Sequence, residues 1–402
     1  MNNGFKIADN KTYLMKLTTL SPVFIGSGEE VKKNGYIFDN NKIFMVDENK
    51  LIDFLYSKKY DIKKLTSDFF SKDFTIKEFI RKFIKKKFNE IDIYKYIIDG
   101  DISNNISTFI KSSNGNPFFP GSSIKGAIRT AIIACEIMDD RDKVYDFIKK
   151  EKIDIFGSSS SKIESFIISE MASKYNFKEN SENNIFNLIK IEDSGDILEK
   201  EKKLFVSKRI DFSTYESNFN KMPKSIEFIK PNVKTFFTIT VDKSIKYFDI
   251  NNLLLILSKY FNYQFEFYTK AFPDINECLK VSYLDSNNNY IYYKKFLLLD
   301  GCKPNIFLGG NNGYYSKNIF YSMLLEDFNY DYYMNKLKEH FDKNSKHKHR
   351  MKDTEISPRT LRLCKLDKEY IKDDKEYKTL DDYEELYMNI GICNLQIERE
   401  LC

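Results

Sequence analysis

Lys125 and Arg129 stand four residues apart in the stretch FFPGSSIKGAIRTAI, residues 118–132. That spacing sets two cations one helical turn apart on the same flank. Beside them Ile124, Ala127, Ile128, Ala131, Ile132 and Cys135 recur at i, i+3, i+4, i+7, the stripe of a helix that packs on a core. Gly121 follows Pro120 and permits a tight turn into that helix, and Ser122 or Ser123 supplies an N-cap hydroxyl. A helix entered this way presents unpaired amides that attract an anion, phosphate above all. Gly126 lets a ligand approach the helix backbone. The plain alternative is a capped core helix with two solvated cations. Nucleotide hydrolysis does not fit. The loop G-x-x-x-x-G-K-[ST] needs Lys after its second Gly, and here Gly126 is followed by Ala127 and Ile128.

A second glycine-rich turn, FLGGNNGYYSK, spans residues 307–317. Gly309, Gly310 and Gly313 admit positive φ, and the amides of such a turn can form an anion-binding concavity. Tyr314 or Tyr315 can stack on an unpaired base, and Lys317 can meet a phosphate. The alternative is a left-handed turn with core tyrosines. Acid–base chemistry is poorly supplied. The histidines are His340, His347 and His349, and the last two lie in the basic KNSKHKHRMK, where they read as solvated or phosphate-contacting. Glu29 and Glu30 in GSGEEVKKNG read as a solvated turn. No cysteine pair has CxxC spacing, and His347-x-His349 alone is a poor metal site. No catalytic residue, metal or cofactor is therefore assigned.

The elements that must carry these turns follow from periodicity. A chain of 402 residues predicts roughly two or three domains. Apolar runs at 13–20, ended by Pro22, and at 41–47 read as strands. The pattern over 58–113 reads as a helical insertion, with Phe79, Ile80, Phe83, Ile84 and Phe88 on one face and Arg81, Lys82, Lys85 and Lys86 on the other. That basic face would meet RNA, an acidic partner or plain solvent. The polar region 157–201 reads as loops between short elements. A second unit starts near Lys230. It offers a strand at 233–242, a helix at 249–272, a strand-like run at 289–300, a helix from Ser316 to about His340, and closing strands RTLRLCKL and GICNLQIE. The reading is an α+β protein with antiparallel sheets, divided into 1–205 and 230–402. Net charge is +5, with 42% apolar and 31% charged residues, a soluble globular composition. No apolar run reaches the ~18 residues of a membrane span. MNNGFKIADN lacks an apolar signal core, so the expectation is a cytoplasmic protein.

PFFPGSSIKGAIRTAI resembles the P-G-S-S-x-K-G-x-x-R signature of the RAMP proteins of CRISPR effector complexes. LTTLSPVFIGSGEE resembles the N-terminal strand and loop of the RAMP subunit of type III-A (Csm) complexes that caps the crRNA 3′ end. FLGGNNGYYSK resembles that family's second glycine loop, with Phe307 and Tyr314 where the family often has Arg and Trp, and ISPRTLRLCKL its late strand. The resemblance implies two ferredoxin-like, RRM-like domains, the helical insertion lying in the first. It implies a non-catalytic subunit at the end of the backbone filament, bound to the single-stranded 3′ part of crRNA and linked to crRNA trimming by recruited nucleases. The partners implied are crRNA, other Csm subunits, chiefly the backbone RAMP subunit, and a host nuclease. RNA contacts are expected from Ser21, Gly26 and Ser27 in the first loop, and from Gly121, Ser122, Ser123, Lys125, Gly126 and Arg129 in the signature. Others are expected from Gly309, Gly310, Gly313, Tyr314 and Lys317 in the second loop, and from Arg359 in the late strand. A metal-independent crRNA-processing RAMP endoribonuclease and a purely protein-binding scaffold are the alternatives.

Overall fold

Alternation of β-branched and aromatic residues builds most of the molecule. In KTFFTITVD the residues Thr235, Phe237, Ile239 and Val241 turn inward and their neighbours outward. The computed structural model describes residues 10–59, 75–81, 87–155, 161–177, 185–213, 218–242, 246–271, 303–313, 315–323, 335, 339, 360–366 and 386–401. The strands are β1 (Asn10–Thr19), β2 (Gly26–Val31), β3 (Tyr36–Asp39), β4 (Lys42–Val46), β5 (Tyr94–Gly100), β6 (Ile106–Phe109), β7 (Ile189–Ile191), β8 (Leu204–Ser213), β9 (Asn218–Ile229), β10 (Lys234–Asp242), β11 (Ile306–Phe307), β12 (Thr360–Leu366), β13 (Leu386–Asn389) and β14 (Ile392–Glu400). The helices are α1 (Glu48–Ser57), α2 (Ile76–Phe79), α3 (Gly121–Asp139), α4 (Arg141–Lys150), α5 (Ser161–Lys174), α6 (Lys200–Lys203) and α7 (Ile250–Ala271).

The class is α+β, as expected. One sheet has the order β11-β14-β1-β10-β7 and is antiparallel throughout. The other runs β2-β6-β9-β8-β5-β4-β3, with β12 on β8 and β13 on β12. Its pairs are antiparallel except β5 with β8 and β6 with β9, which are parallel. β1 lies between β10 and β14, so strands from both sides of the 205/230 division share one sheet. The apolar stripe of α3 and the inner face of α7 (Leu253, Leu257, Phe261) join Met15, Leu17, Phe237 and Ile239 in a single core. A second core gathers Ile37, Phe44, Leu51, Leu55, Ile76, Phe79 and Ile80 under α1 and α2.

Three expectations change. The helical stretch over 58–113 includes two strands, β5 and β6. Tyr94, Tyr96, Ile98 and Gly100 are buried in alternation, a period of two that the richer helical signal upstream obscured. Phe79 and Ile80 do pack inward and Arg81 is exposed, while Lys82, Phe83, Ile84, Lys85 and Lys86 lie outside the described residues. The polar region 157–201 contains the helix α5, whose Ile163, Ile167, Ile168 and Met171 reach the core between serines and charges. The helix expected from Ser316 opens as two 3₁₀ turns, Tyr315–Lys317 and Phe320–Met323. The strand-like run 289–300 and all three histidines lie outside the described residues.

The second sheet closes around a buried carboxylate. Glu227 of β9 has no exposed side-chain surface and meets Lys111 Nζ at 2.5 Å. Phe109 N–H donates to Glu227 Oε2 at 2.8 Å, and the Tyr96 hydroxyl donates to Oε1 at 2.9 Å. The ammonium groups of Lys111 and Lys200 lie over the Tyr96 ring, 5.2 and 5.1 Å from its centroid. Glu227→Ala would leave a buried amide, a hydroxyl and an ammonium without their partner. We expect a loss of about 3–5 kcal/mol in urea unfolding, and a smaller loss for Glu227→Gln, which keeps an acceptor.

Candidate nucleic-acid interface

The segment Leu20–Ile25 carries the chain from one sheet to the other and sets the site. Leu20 and Ser21 N–H donate to Ile392 O at 2.9 and 3.1 Å, at the end of β1. Val23 then pairs with Ile229 of β9 in both directions, at 3.1 and 2.9 Å, in the second sheet. Gly310 N–H donates to Phe24 O at 2.7 Å, which seats the second glycine loop on this crossing. Gly309 has φ +82°, and a Cβ there would stand 2.1 Å from Phe24 O. Gly391 has φ +89°, and its Cβ would stand 2.4 Å from Leu308 O. Only glycine fits at either position.

The result is a groove of about 440 Å³. Gly26 comes from the first loop, Ser123, Gly126, Ala127 and Thr130 from α3, and Gly309, Gly310 and Lys317 from the second loop. Its floor is apolar, with Ile25, Leu257, Tyr260, Ile306 and Phe307. No atom lies within 4 Å of where a Cβ on Gly126 would stand, so the groove reaches the helix backbone there. Among the described lining residues there is no carboxylate and no imidazole. Tyr260 is kept neutral by burial, which raises its pKa, and its hydroxyl donates to Ser316 O at 3.3 Å. Such a surface can hold a sugar or base on the floor and a phosphate at the rim. It offers no acid–base pair for cleavage. Among the described residues no group of His, Cys, Asp and Glu is arranged to hold a metal ion.

The expected residues therefore divide. Gly26, Ser123, Gly126, Gly309, Gly310 and Lys317 meet at the groove. Lys125 and Arg129 do not. At about 100° per residue they fall roughly 130° round α3 from the Ser123–Gly126–Ala127–Thr130 stripe. Arg129 is paired with Glu164 of α5 at 2.7 Å and lies over the Phe186 ring at 5.3 Å. Lys125 is half-buried, and burial followed by Arg129 lowers its pKa. Among the described residues no carboxylate pairs with it. Ser21 is buried and its Oγ accepts from Ile392 N–H at 2.8 Å, so it ties strands together and cannot reach a ligand. The Ser27 hydroxyl bonds Thr108 at 2.7 Å. Gly313 adopts φ +94° in the loop. Tyr314 and Arg359 lie outside the described residues.

The start of α3 differs from the expectation in one instructive way. Neither serine is the N-cap. The helix begins at Gly121 with Pro120 at the cap position. Gly121 N–H donates to Asp193 Oδ1 at 2.7 Å, while Ser123 and Ile124 N–H turn back to Pro120 O at 3.0 and 3.2 Å. The anion expected at this helix end is the protein's own carboxylate. Gly121 permits it, since a Cβ would stand 2.4 Å from Ile191 O. Ser122 is exposed. Glu29 and Glu30 lie in strand β2 rather than a turn, because Glu30 and Val31 pair with β6; Glu30 is paired with Lys224 at 3.0 Å, and that hydrogen bond lowers its pKa. The cysteines Cys135, Cys364 and Cys393 are free and buried, and burial pushes the Cys135 thiol up to about 12.

This α+β fold with its glycine turns gathered at one groove defines the class. The chain belongs to the RAMP superfamily, whose sequence pattern matches residues 16–391. It is similar to the protein described as "CRISPR system Cms protein Csm5" from Streptococcus thermophilus, 24% identical over 248 residues, covering 58% of this chain and 64% of that one. A protein of the same description from Methanocaldococcus jannaschii is 29% identical over 151 residues, 34% of this chain and 36% of that one. The chain thus spans less than two thirds of the curated relatives it matches. Its fold resembles a chain of the cryo-EM Csm–crRNA–target RNA ternary complex of a type III-A CRISPR-Cas system, with TM-score 0.62 and 18% identity over 96% of this chain and 100% of that one. It also resembles the crystal structure of T. onnurineus Csm5, with TM-score 0.53 and 17% identity over 85% and 98%.

The glycines should behave unequally on substitution. Gly309→Ala should cost roughly 2 kcal/mol or more, because it meets both backbone strain and the Phe24 carbonyl. Gly126→Ala should raise stability by roughly 0.5–1 kcal/mol, as expected for an unobstructed helical glycine. Thermal melting of the two purified variants checks both.

Proposed function

We propose that the chain is a non-catalytic RNA-binding subunit of a type III-A CRISPR (Csm) effector complex. In this reading it holds the 3′ part of the crRNA at the end of the backbone filament and supports crRNA maturation by recruiting a nuclease. Its protein partners are other Csm subunits, chiefly the backbone RAMP subunit. The observation that carries the reading is the convergence of bare glycine backbone from β2 (Gly26), α3 (Gly126) and the second loop (Gly309 and Gly310) on one groove beside Lys317. Backbone that lacks Cβ atoms can lie against a sugar-phosphate chain whatever its sequence. An apolar floor accepts an unstacked base. The relatives support the reading through their names and through the complex in which one of them was solved.

Binding of single-stranded RNA should fall with salt, and each lost phosphate contact should flatten the slope by ~0.7. We expect that flattening for Lys317→Ala, and an unchanged slope for Lys125→Ala, which the helix turns away from the groove. Arg129→Ala should instead lower the melting temperature and leave the slope alone, since Arg129 is held by Glu164. Gly126→Leu should fill the groove and weaken binding at a near-native melting temperature. Filter binding at several salt concentrations, beside thermal melting, reads all four. If Gly126→Leu binds RNA as well as the parent protein, the groove is not the RNA site. Labelled crRNA precursor incubated with the purified protein, with and without Mg²⁺, should stay intact. Cleavage would return the endoribonuclease alternative.

A further inference from the structure

Beyond the groove, the second glycine loop touches Arg209, which stands beside Arg362, and neither arginine lines the groove. β8 and β12 pair with Asp211 opposite Arg362 and Arg209 opposite Cys364. Opposite residues of an antiparallel pair share a face, so Arg209, Asp211 and Arg362 stand together, the two arginines diagonal to one another. Asp211 is taken up by Arg209, through Nε at 2.9 Å and Nη2 at 3.1 Å. The same guanidinium donates from Nη1 to Asn311 Oδ1 at 3.3 Å, which joins the strand pair to the glycine loop. Lys317 stands on the groove side of the same loop, near enough for the Arg362 charge to act on it.

Among the described residues these three cations share one carboxylate, Asp211, a surplus of two positive charges around two half-buried arginines. Burial, then Arg209, lowers the pKa of Arg362, with Asp211 opposing. Burial, then Arg362, lowers that of Lys317. Among the described residues no carboxylate pairs with Arg362. Holding like charges close together with reduced access to water is unfavourable in the protein alone and is relieved by an anion.

We infer that Lys317, Arg362 and Arg209 form a phosphate-binding site continuous with the groove, suited to phosphodiester groups of a strand leaving it past the second glycine loop. The identity of the anion as RNA backbone rests on the RNA-binding reading of the groove. The anion site itself does not.

The test uses the full chain and two variants, Arg362→Gln and Lys317→Gln, with inorganic phosphate as the first probe. At low ionic strength the parent protein should gain melting temperature on addition of millimolar phosphate beyond a chloride control of equal ionic strength. Arg362→Gln should melt higher than the parent without phosphate, because repulsion is relieved, and should lose the phosphate response. Lys317→Gln should behave likewise. A purely structural role for Arg362 predicts the opposite, a lower melting temperature with the phosphate response kept, and that result overturns the proposal. The second probe is single-stranded RNA. Arg362→Gln should flatten the salt slope by ~0.7. An unchanged slope, in a protein whose binding Gly126→Leu abolishes, removes this site and leaves the groove reading standing. A phosphate response lost in Arg362→Gln, in a protein that binds no RNA, keeps the anion site and removes the groove reading.

Discussion

Gly310 N–H donates to the Phe24 carbonyl across 2.7 Å, and the candidate site depends on that contact. Around it three distant segments are knit by backbone hydrogen bonds, with the Ser21 hydroxyl beside them. Gly391 N–H donates to Pro22 O at 2.8 Å, and Leu308 N–H donates to Gly391 O at 2.7 Å. Side chains would prevent this approach, since Cβ atoms on Gly309 and Gly391 would meet carbonyl oxygens at 2.1 and 2.4 Å. The crossing Leu20–Ile25 therefore does two things. It hands the chain from the antiparallel sheet to the mixed one, and it offers a seat for a loop nearly three hundred residues later. Backbone hydrogen bonds at these glycines resist displacement, because a buried amide without a partner is costly. A groove built on them is a preformed surface.

Charge is arranged around this frame by sign and depth. At the start of α3 the positive end of the helix is met internally by Asp193, so the groove acquires no anion site from the helix dipole. In the second sheet Glu227 is fully enclosed and matched by Lys111, Tyr96 and an amide. Arg129 is matched by Glu164. Against this background of satisfied pairs, the cations beside the second glycine loop are matched, among the described residues, by Asp211 alone.

How much was legible in the sequence differs with distance along the chain. The stripe Ile124, Ile128, Ala131, Ile132 and Cys135 marked α3 as a core helix, and the alternation in KTFFTITVD marked β10, because each pattern is local and its period is set by backbone geometry alone. The glycine turns and Lys317 were legible as residues that permit close approach. The RAMP signature was legible as a run of types at fixed spacing. Where two local signals overlapped, the stronger masked the weaker, as happened with β5 and β6 behind the apolar stripe of α2.

Tertiary structure alone decided the rest. No local pattern places β1 between β10 and β14, since pairing partners more than two hundred residues away are chosen by which edges and faces remain to be buried. Asp193 as the cap of α3, and Glu164 as the partner of Arg129, come from segments with no sequence proximity to the motif they complete. Lys125 and Arg129 looked like groove residues because they sit within the signature. The helix turned them away, as a fixed angle per residue sends neighbours in sequence to different faces. Arg209 carried no motif, Arg362 stood in the late strand with no role assigned to it, and the two met only because β8 and β12 pair. The sequence by itself determined which segments could form helices, strands and bare-backbone turns, because those depend on local dihedral freedom and period. Which of them share a surface was settled by packing, through strand pairing and the few points where a glycine lets two backbones touch.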